Sequence, residues 1–536
     1  MRDLLASISY DGWILPALLL VPLLGALALY LVPGRSGTTA DEELARASTM
    51  RVIALAVFVI EFLLSAGLWW SFEIGVADWQ AVVDLPWIDD WGARFTVGVD
   101  GISLFMVLLT TLIMPLAVLG SWSSIRVKAR SYYALLLVLT TGMIGVFVAL
   151  DLLLFYVMWE VMLVPMYFII GIWGGERRIY ASLKFFIYTM AGSLLMLVAI
   201  LYLWAQSGGT TFNYDQILAL AQADANTFPF FGRIIPMTTA LFFAFFLAFA
   251  IKVPMFPFHT WLPDAHVEAP TAGSVILAGI MLKMGTYGFL RFAMPFFPDA
   301  AMSPGIRTAI LVLGVIGIVY GALVAMVQPD FKKLVAYSSV SHLGFVMLGI
   351  FALTLQSVQG ALMVMINHGI STGALFFLIG IVYERRHTRM IADYGGIARV
   401  APMFAALLTL VSLSSIGLPG TNGFIGEFLV LVGSFRTAPY LTVIAATGVI
   451  FAAAYLLWAI QRVLFHPLDK PENAALSDLN KRELTIMGVL TVMILWIGIY
   501  PAPVLDRMEA SAARFVRTVQ TGVAPGTTAS LPPGGR

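Results

Sequence analysis

Four charged side chains lie inside long apolar stretches of this sequence, where ionisable groups are costly. Lys252 and Lys283 are the two basic residues within apolar runs, and Glu160 and Glu427 are acidic residues in comparable surroundings. One charge at the centre of a bilayer costs roughly 2.5–3.5 kcal/mol, so such groups usually pair, face the bundle interior or line a water path. A buried Glu–Lys pair whose proton affinities depend on separation is what a proton relay requires.

Structural explanations compete with the relay. Either lysine could extend its ammonium group to the membrane surface. A Glu–Lys pair could also be a fixed ion pair that only holds helices together. Glu61 is a weaker candidate for proton chemistry, because it could equally face a neighbouring subunit.

Histidines add groups that titrate near neutral pH. His342 and His368 each lie on a polar ridge at helical i, i+3 and i+4 spacing. Core histidines bonded to hydroxyls remain an alternative, and haem ligation is less favoured because each of the two helices carries one histidine. His259 and His266 lie close to two carboxylates, where a metal cluster, a loop gate or a proton entry all stay open.

The composition is that of a chain that lies mostly in lipid. Of 536 residues, 60% are apolar and only 11% are charged, against about 25% charged in ordinary soluble domains. A net charge of +1 argues against nucleic acid as a partner. The sequence contains no cysteine, which excludes disulfides, thiolate zinc sites and Cys-ligated iron–sulfur clusters.

Apolar runs of about 20 residues predict about 14 transmembrane helices. The first run lacks a basic leader and a cleavage site, so we expect it to be a retained span. The polar tail from about residue 504 is expected to end in a disordered segment, 524–536. The predicted spans are 12–32, 51–71, 101–121, 132–150, 152–172, 184–204, 234–254, 272–295, 308–328, 334–353, 358–383, 401–432, 438–465 and 484–503.

Lys and Arg are distributed unequally between the two sides. Nineteen follow odd-numbered spans and ten lie on the other side, so the odd loops should face the cytoplasm and both termini the outside. The acidic, aromatic outer loop 77–99 is expected to form a small hairpin around the turn at 89–92.

Two of the predicted spans are interrupted by proline and glycine, the seventh at Pro254 and the twelfth at Pro419. They lie five spans apart, so a five-span repeat unit would insert upside down the second time. We therefore predict an all-α polytopic membrane protein with two inverted five-helix repeats and two discontinuous helices. The expected segments are a three-helix region with the hairpin (1–130), two repeats (131–300 and 301–466), the last span (467–510) and a polar tail (511–536).

Three segments of the sequence resemble the antiporter-like subunits of respiratory complex I, the proton-translocating NADH–quinone oxidoreductase, and its relatives. They are KVPMFPFHTWLPDAH at 252–266 followed by EAPT at 268–271, AYSSVSHLG at 336–344, and GLPGTNGFIGE at 417–427. The resemblance extends from about Asp100 to about Phe465. A glutamate in the twelfth span, here Glu427, is the pattern of the M-type subunits, whereas L- and N-type subunits carry lysine there.

The resemblance implies a role for each residue. Glu160 and Lys252 would form the input-side pair, Lys283 would be the central relay lysine, and Glu427 would be the output site. His342 and His368 would lie along the connecting path.

The resemblance also implies partners and a location. NADH, FMN, iron–sulfur clusters and quinone would belong to partner subunits, with none held by this chain. The neighbours would be L- and N-type subunits in a bacterial inner membrane. Alternatives are a subunit of a multisubunit sodium/proton antiporter, the membrane arm of a hydrogenase or formate-linked complex, and a scaffold that moves no protons.

Overall fold

The computed structural model describes residues 1–32 and 40–522, without the side chains of residues 40–46. The segment predicted to be disordered, 524–536, lies outside the described residues. Helices dominate, as a bilayer requires of a chain that must satisfy its own backbone hydrogen bonds. In chain order the main helices are α1 (Ile14–Leu31), α2 (Ala40–Ala66), α3 (Ser103–Gly120), α4 (Ala129–Val148), α5 (Leu152–Val161), α6 (Leu163–Trp173), α7 (Arg178–Gln206), α8 (Tyr214–Ala223), α9 (Met237–Lys252), α10 (Trp261–Glu268), α11 (Thr271–Phe296), α12 (Pro304–Met326), α13 (Phe331–Ala352), α14 (Leu355–Arg386), α15 (Pro402–Ile416), α16 (Asn422–Phe435), α17 (Pro439–Ile460), α18 (Lys481–Ile499) and α19 (Ala502–Thr521).

Within the described residues, twelve helices are long and apolar enough to cross a membrane, with α5 and α6 counted together. Three shorter apolar helices, α9, α15 and α16, lie where the sequence predicts the two interrupted spans. The count of 14 follows if each interrupted pair crosses once, and it stays a prediction. Short helices connect the long ones at Arg2–Ser7, Leu68–Ser71, Pro298–Met302, Ile397–Val400 and Pro471–Ala474.

Both predicted breaks are present. Helix α9 ends at Lys252, and α10 begins nine residues later at Trp261. Pro254 has no N–H to continue the helix. Helix α15 ends before Gly417, which has a positive φ of 85°, and α16 begins at Asn422. Each break therefore leaves helix ends inside the bundle, close to the charged residues Lys252 and Glu427.

The core of the bundle consists of α11, α13 and α14. The apolar stretches of α11 and α14 are completely buried within the chain, and that of α13 is 94% buried. Helix α11 contains two π-helical turns, Leu277–Met281 and Phe289–Ala293. Such turns are frequent at functional sites, and Lys283 lies between these two.

Two hairpins lie outside the helical bundle. The predicted one is confirmed as β1 (Gln80–Ile88) paired antiparallel with β2 (Ala93–Val99). A second hairpin, β3 (Thr227–Phe230) with β4 (Arg233–Pro236), was not predicted. It turns through Phe231 and Gly232, both with positive φ, which is the backbone that tight hairpin turns require.

The predicted polar tail is wrong over its first part. Residues 502–521 form helix α19, which crosses the expected boundary at 511. Its buried side chains recur one helical turn apart, at Val504, Met508, Ala512, Phe515 and Val519. A helix with one apolar face can be polar on average and still pack that face against the bundle. The prediction of a tail rests on average polarity alone and does not detect such a face.

Candidate functional site

Lys283 and His368 meet at the centre of the bundle. The Lys283 Nζ lies 2.6 Å from the His368 Nδ1, and it also donates to the carbonyl of Ala278. Lys283 is 0% exposed and His368 is 4% exposed. Lys283 therefore does not reach the membrane surface, and the alternative of an extended ammonium group is wrong for it.

His342 and Glu427 form a second contact beside the first. The His342 Nδ1 lies 2.9 Å from the Glu427 Oε1, and both side chains are buried. The rings of His342 and His368 are 5.7 Å apart between centroids. Four side chains from α11, α14, α13 and α16 thus form one chain of contacts in the order Lys283, His368, His342 and Glu427, which we call the central chain.

The two histidines use their ring nitrogens in the same way. Each Nδ1 contacts a charged partner, and neither Nε2 has a hydrogen-bond partner among the described residues. An imidazole can accept a proton at one nitrogen and release one at the other. The central chain therefore has a free nitrogen on each ring where a proton could pass.

A small cavity of about 20 Å³, lined mostly by polar residues, adjoins the central chain. Its hydroxyl and amide groups are themselves linked, because Ser371 and Ser414 both donate to the Asn422 Oδ1, at 3.0 and 2.6 Å. A site with several polar partners and room for about one water molecule suits a buried water. The cavity is lined by His342, Val364, Asn367, His368, Ser371, Thr372, Ser414, Ser415, Gly423 and Glu427.

Lys252 and Glu160 are not joined in the same way. The Lys252 Nζ lies 3.4 Å from the Met162 Sδ and 5.5 Å from the centre of the Trp159 ring. Lys252 is 1% exposed, so it too does not reach the surface. Glu160 follows Trp159 but makes no ion pair within 4.0 Å among the described residues, and its Oε1 lacks a partner. Their pairing at longer range stays a prediction.

Glu160 is less buried than its apolar sequence neighbours suggested. It is half-buried within this chain, near the end of the ten-residue helix α5. Apolar residues along the sequence predict membrane depth, but they do not predict which side of the bundle a side chain occupies.

Lys332 and His266 were not recognised as candidates for the core. Lys332 lies in the predicted cytoplasmic loop between the spans 308–328 and 334–353, yet it is 8% exposed and donates to the Ala269 carbonyl at 2.5 Å. His266 is 0% exposed, stacks on Phe376 at 4.6 Å, and neither ring nitrogen has a partner among the described residues. A lysine in the first turn of a helix normally indicates solvent, so the sequence held no signal for its burial.

A larger cavity of about 190 Å³ lies next to Lys332. Glu268, Glu384 and Arg389 also line it, and the loops around it are those with the excess of basic residues. The cavity reaches the buried start of α13 at Lys332 and the end of α10 at Val267 and Glu268.

The metal alternative at His259 and His266 has no support in the geometry. His259 stacks on Phe256, while His266 stacks on Phe376. In the part of the chain that the structure describes, no three His, Asp or Glu side chains converge as metal ligands would.

Arg291, near the end of the predicted span 272–295, is buried. Its Nη2 lies 2.6 Å from the Asp100 Oδ1, and its guanidinium lies 4.5 Å from the centre of the Trp79 ring. A salt bridge buried this deeply ties the end of α11 to the start of α3 and to the first hairpin.

Comparison with known proteins places the chain in one group. Residues 149–452 match the transmembrane family of NADH:quinone oxidoreductase and Mrp antiporter subunits. NADH-quinone oxidoreductase subunit M of Rhodobacter capsulatus is 44% identical over 96% of this chain and 97% of its own length. A chain of respiratory complex I from Thermus thermophilus is 31% identical with a TM-score of 0.82, covering 94% of this chain and 99% of that one. A chain of the Mrp complex from a Dietzia species, at 22% identity and a TM-score of 0.76, covers 94% of this chain and 55% of that one and shares the fold.

Proposed function

The chain belongs to the NADH:quinone oxidoreductase/Mrp antiporter transmembrane family, and we propose that it moves protons through the central chain from Lys283 to Glu427. It is a multi-pass membrane protein and a proton-translocating membrane-arm subunit of an NADH–quinone oxidoreductase. The observation that supports this route is the unbroken series of contacts across four helices.

The contacts suggest the order of transfer. Lys283 as an ammonium would donate to the His368 Nδ1, and His368 would release a proton from its free Nε2. His342 would accept at its own free Nε2, directly or through water in the adjoining cavity, and pass the proton from Nδ1 to Glu427. Each transfer leaves the earlier group neutral, and each histidine passes through an imidazolium that carries a proton on both ring nitrogens before it releases one.

Protons would enter from the side that carries the larger cavity. Lys332 lines that cavity, and His266 is buried beyond it on α10. The unpartnered ring nitrogens of His266 suit a group that takes up and releases protons between the cavity and Lys283.

Lys252 and Glu160 would act as the input-side switch. Lys252 is buried among aromatic rings and a thioether, which stabilise a cation less well than water does. The half-buried Glu160 could come closer to Lys252 and stabilise its charge, or move away and release it. Such a change in separation is the way in which quinone reduction elsewhere in the complex could drive the transfer.

The assembly is proposed from the same resemblance. The chain would be one of several membrane subunits beside L- and N-type neighbours in a bacterial inner membrane, with both termini outside. NADH, FMN, iron–sulfur clusters and quinone would be held by partner subunits. Residues 131–300 and 301–466 would be the two inverted repeats, and 1–130, 467–510 and 511–536 the flanking segments. The breaks after Lys252 and before Asn422 support this division.

A sodium/proton antiporter subunit is the less favoured alternative. The relative that matches nearly the whole chain at 44% identity is named as an oxidoreductase subunit, whereas the Mrp likeness extends to the fold alone.

His368→Gln tests the proposed route. Glutamine keeps a hydrogen bond to Lys283 but cannot carry a proton between two ring nitrogens. Proton uptake by sealed vesicles that contain the assembled complex should fall by at least about tenfold, a change of about 1.4 kcal/mol in the barrier. His387→Gln, at an exposed histidine, is the matched control and should pump normally. Wild-type pumping by assembled His368→Gln would refute the route.

A further inference from the structure

Glu61 of α2 is a buried carboxyl outside the proposed proton route. It is 0% exposed, and both of its carboxyl oxygens lack a hydrogen-bond partner among the described residues. The sequence left open that Glu61 faces a neighbouring subunit, and this is wrong because the chain itself encloses the side chain. Such an enclosed, unpartnered acid needs its own explanation.

The other buried carboxyls in the described part of the chain all have partners. Two accept backbone N–H groups and three contact a basic side chain. They are Asp151 with Arg94, Leu153 and Leu154, Glu268 with Arg177, Asp100 with Arg291, Glu427 with His342, and Glu483 with Arg385. The fold can supply donors to buried acids, but it supplies none to Glu61.

The hydroxyl groups of the surrounding helices are occupied elsewhere. Ser65, one turn along α2, donates to the Phe62 carbonyl at 2.9 Å and lies 2.7 Å from the Thr111 Oγ1 of α3. Thr141 of α4 donates to the Leu19 carbonyl of α1 at 3.1 Å. Among the described residues, no basic side chain lies within ion-pair distance of Glu61, and both of its carboxyl oxygens lack a partner. An ionised carboxylate can only accept hydrogen bonds, so in these surroundings its charge would be uncompensated.

Helix α1 contains a hydrogen-bond acceptor that lacks a donor within the helix. Pro22 lies inside α1 and has no N–H, so the Leu18 carbonyl one turn earlier has no donor within the helix. Val57 of α2 packs against Gly25 of α1, and this antiparallel register brings Glu61 opposite the turn that contains Pro22. A protonated acid can donate to a carbonyl, whereas an ionised one cannot.

We propose that Glu61 binds a proton and is a neutral carboxylic acid in the native protein, in a closed site formed by α1, α2, α3 and α4. Its ligand is the proton itself, and the site is separate from the central chain. This inference does not depend on the proposed route, since it rests on the enclosure of Glu61 and on the missing donors.

The test compares unfolding of the full-length wild-type chain and Glu61→Gln in detergent micelles from about pH 6 to about pH 9. Glutamate is ionised in the unfolded chain in this range, so a neutral native Glu61 must release its proton on unfolding. Stability is then lost as the pH rises. The unfolding constant of the wild type should rise about tenfold per pH unit relative to Glu61→Gln. Glu509→Gln, at an exposed carboxyl, should not change the pH dependence.

A wild-type to Glu61→Gln ratio that is independent of pH would overturn the proposal, because it would mean that Glu61 is ionised in both states. A second measurement needs no variant. An apolar carbodiimide reacts with protonated carboxyls, and mass spectrometry of the labelled complex reports each site. Labelling of Glu61 that stays constant while that of Glu509 falls with rising pH supports the neutral acid, and a parallel fall overturns it.

Discussion

The ammonium group of Lys283 and the ring of His368 are joined by a contact of 2.6 Å between Nζ and Nδ1, although 85 residues separate them in sequence. One residue is on α11 and the other on α14, the two completely buried helices. The contact places a proton donor beside an acceptor where water is scarce. Such a pair can transfer a proton without rearranging solvent. The charge of the pair depends on the protonation state of His342, the next group of the central chain.

Lys283→Met should abolish proton pumping while the complex still assembles. Methionine has a similar shape without the charge, and a buried ammonium with no carboxylate partner among the described residues is itself costly, so its removal should not prevent folding. His368 loses its partner, which costs about 1–3 kcal/mol. Each proton moved against 100 mV requires about 2.3 kcal/mol, and a missing relay group cannot transmit it. The measurement is proton uptake per electron in sealed vesicles, with the exposed Lys481→Met as control. Full stoichiometry in Lys283→Met would make this lysine structural.

Glu427→Gln should block transfer at the output half, and His342→Ala should have the smaller effect. Glutamine keeps the contact with the His342 Nδ1 at 2.9 Å in the native geometry but does not ionise. Removing the His342 ring enlarges a small cavity that is already lined mostly by polar residues, so water can replace one relay member. The measurement is the proton-pumping rate of each assembled variant, and we expect the rate of Glu427→Gln to be the lower of the two. The reverse order of severity would contradict a proton route through His342.

Lys252→Ala and Glu160→Ala should each largely abolish pumping and, if the two processes are tightly coupled, quinone reduction as well. The reason is that a switch made of two charges stops working when either one is missing. Glu176→Ala removes an exposed carboxylate from the loop that follows α6 and should behave as wild type. Both activities should be measured in the same vesicle preparation. Wild-type stoichiometry in an assembled Lys252→Ala complex would rule out the switch.

The sequence could predict the elements but not the contacts between them. Pro254 and the glycines around Pro419 indicated the two helix breaks because their backbone chemistry is local. The residue types of the central chain were also predictable, since charged groups in apolar runs are rare. The pairing of Lys283 with His368 was not predictable, because it depends on how α11 packs against α14.

Other misses have the same physical origin. Arg291 is a basic residue at the end of a span, which normally indicates solvent, yet Asp100 lies 2.6 Å from it and the pair is buried. Average polarity indicates a tail at helix α19, because its polar residues outnumber the apolar ones that pack inward. In each case the tertiary partner decides the outcome, and no local spacing identifies it.

Asp478→Asn should weaken the start of α15 in a pH-dependent way. The Asp478 carboxylate accepts from the backbone N–H groups of Met403 at 2.8 Å and Phe404 at 3.0 Å, in the first turn of that helix. Burial opposes its ionisation, but these donors, Leu479 N–H and the charge of Arg385 outweigh burial and lower the pKa of Asp478. The loss of such a cap typically costs about 0.5–2 kcal/mol.

A lowered pKa means that the native chain binds fewer protons than the unfolded chain in the acid range. The stability gained from the Asp478 carboxylate is therefore fully present above its unfolded pKa of about 3.9 and is lost as the pH falls through the lower native value. We expect the difference in melting temperature between wild type and Asp478→Asn to be constant near neutral pH and to shrink below about pH 4. Asp469→Asn, in the same loop, is the control for general charge effects. A difference that persists unchanged into acid would show that Asp478 stabilises α15 through its shape and not through its charge.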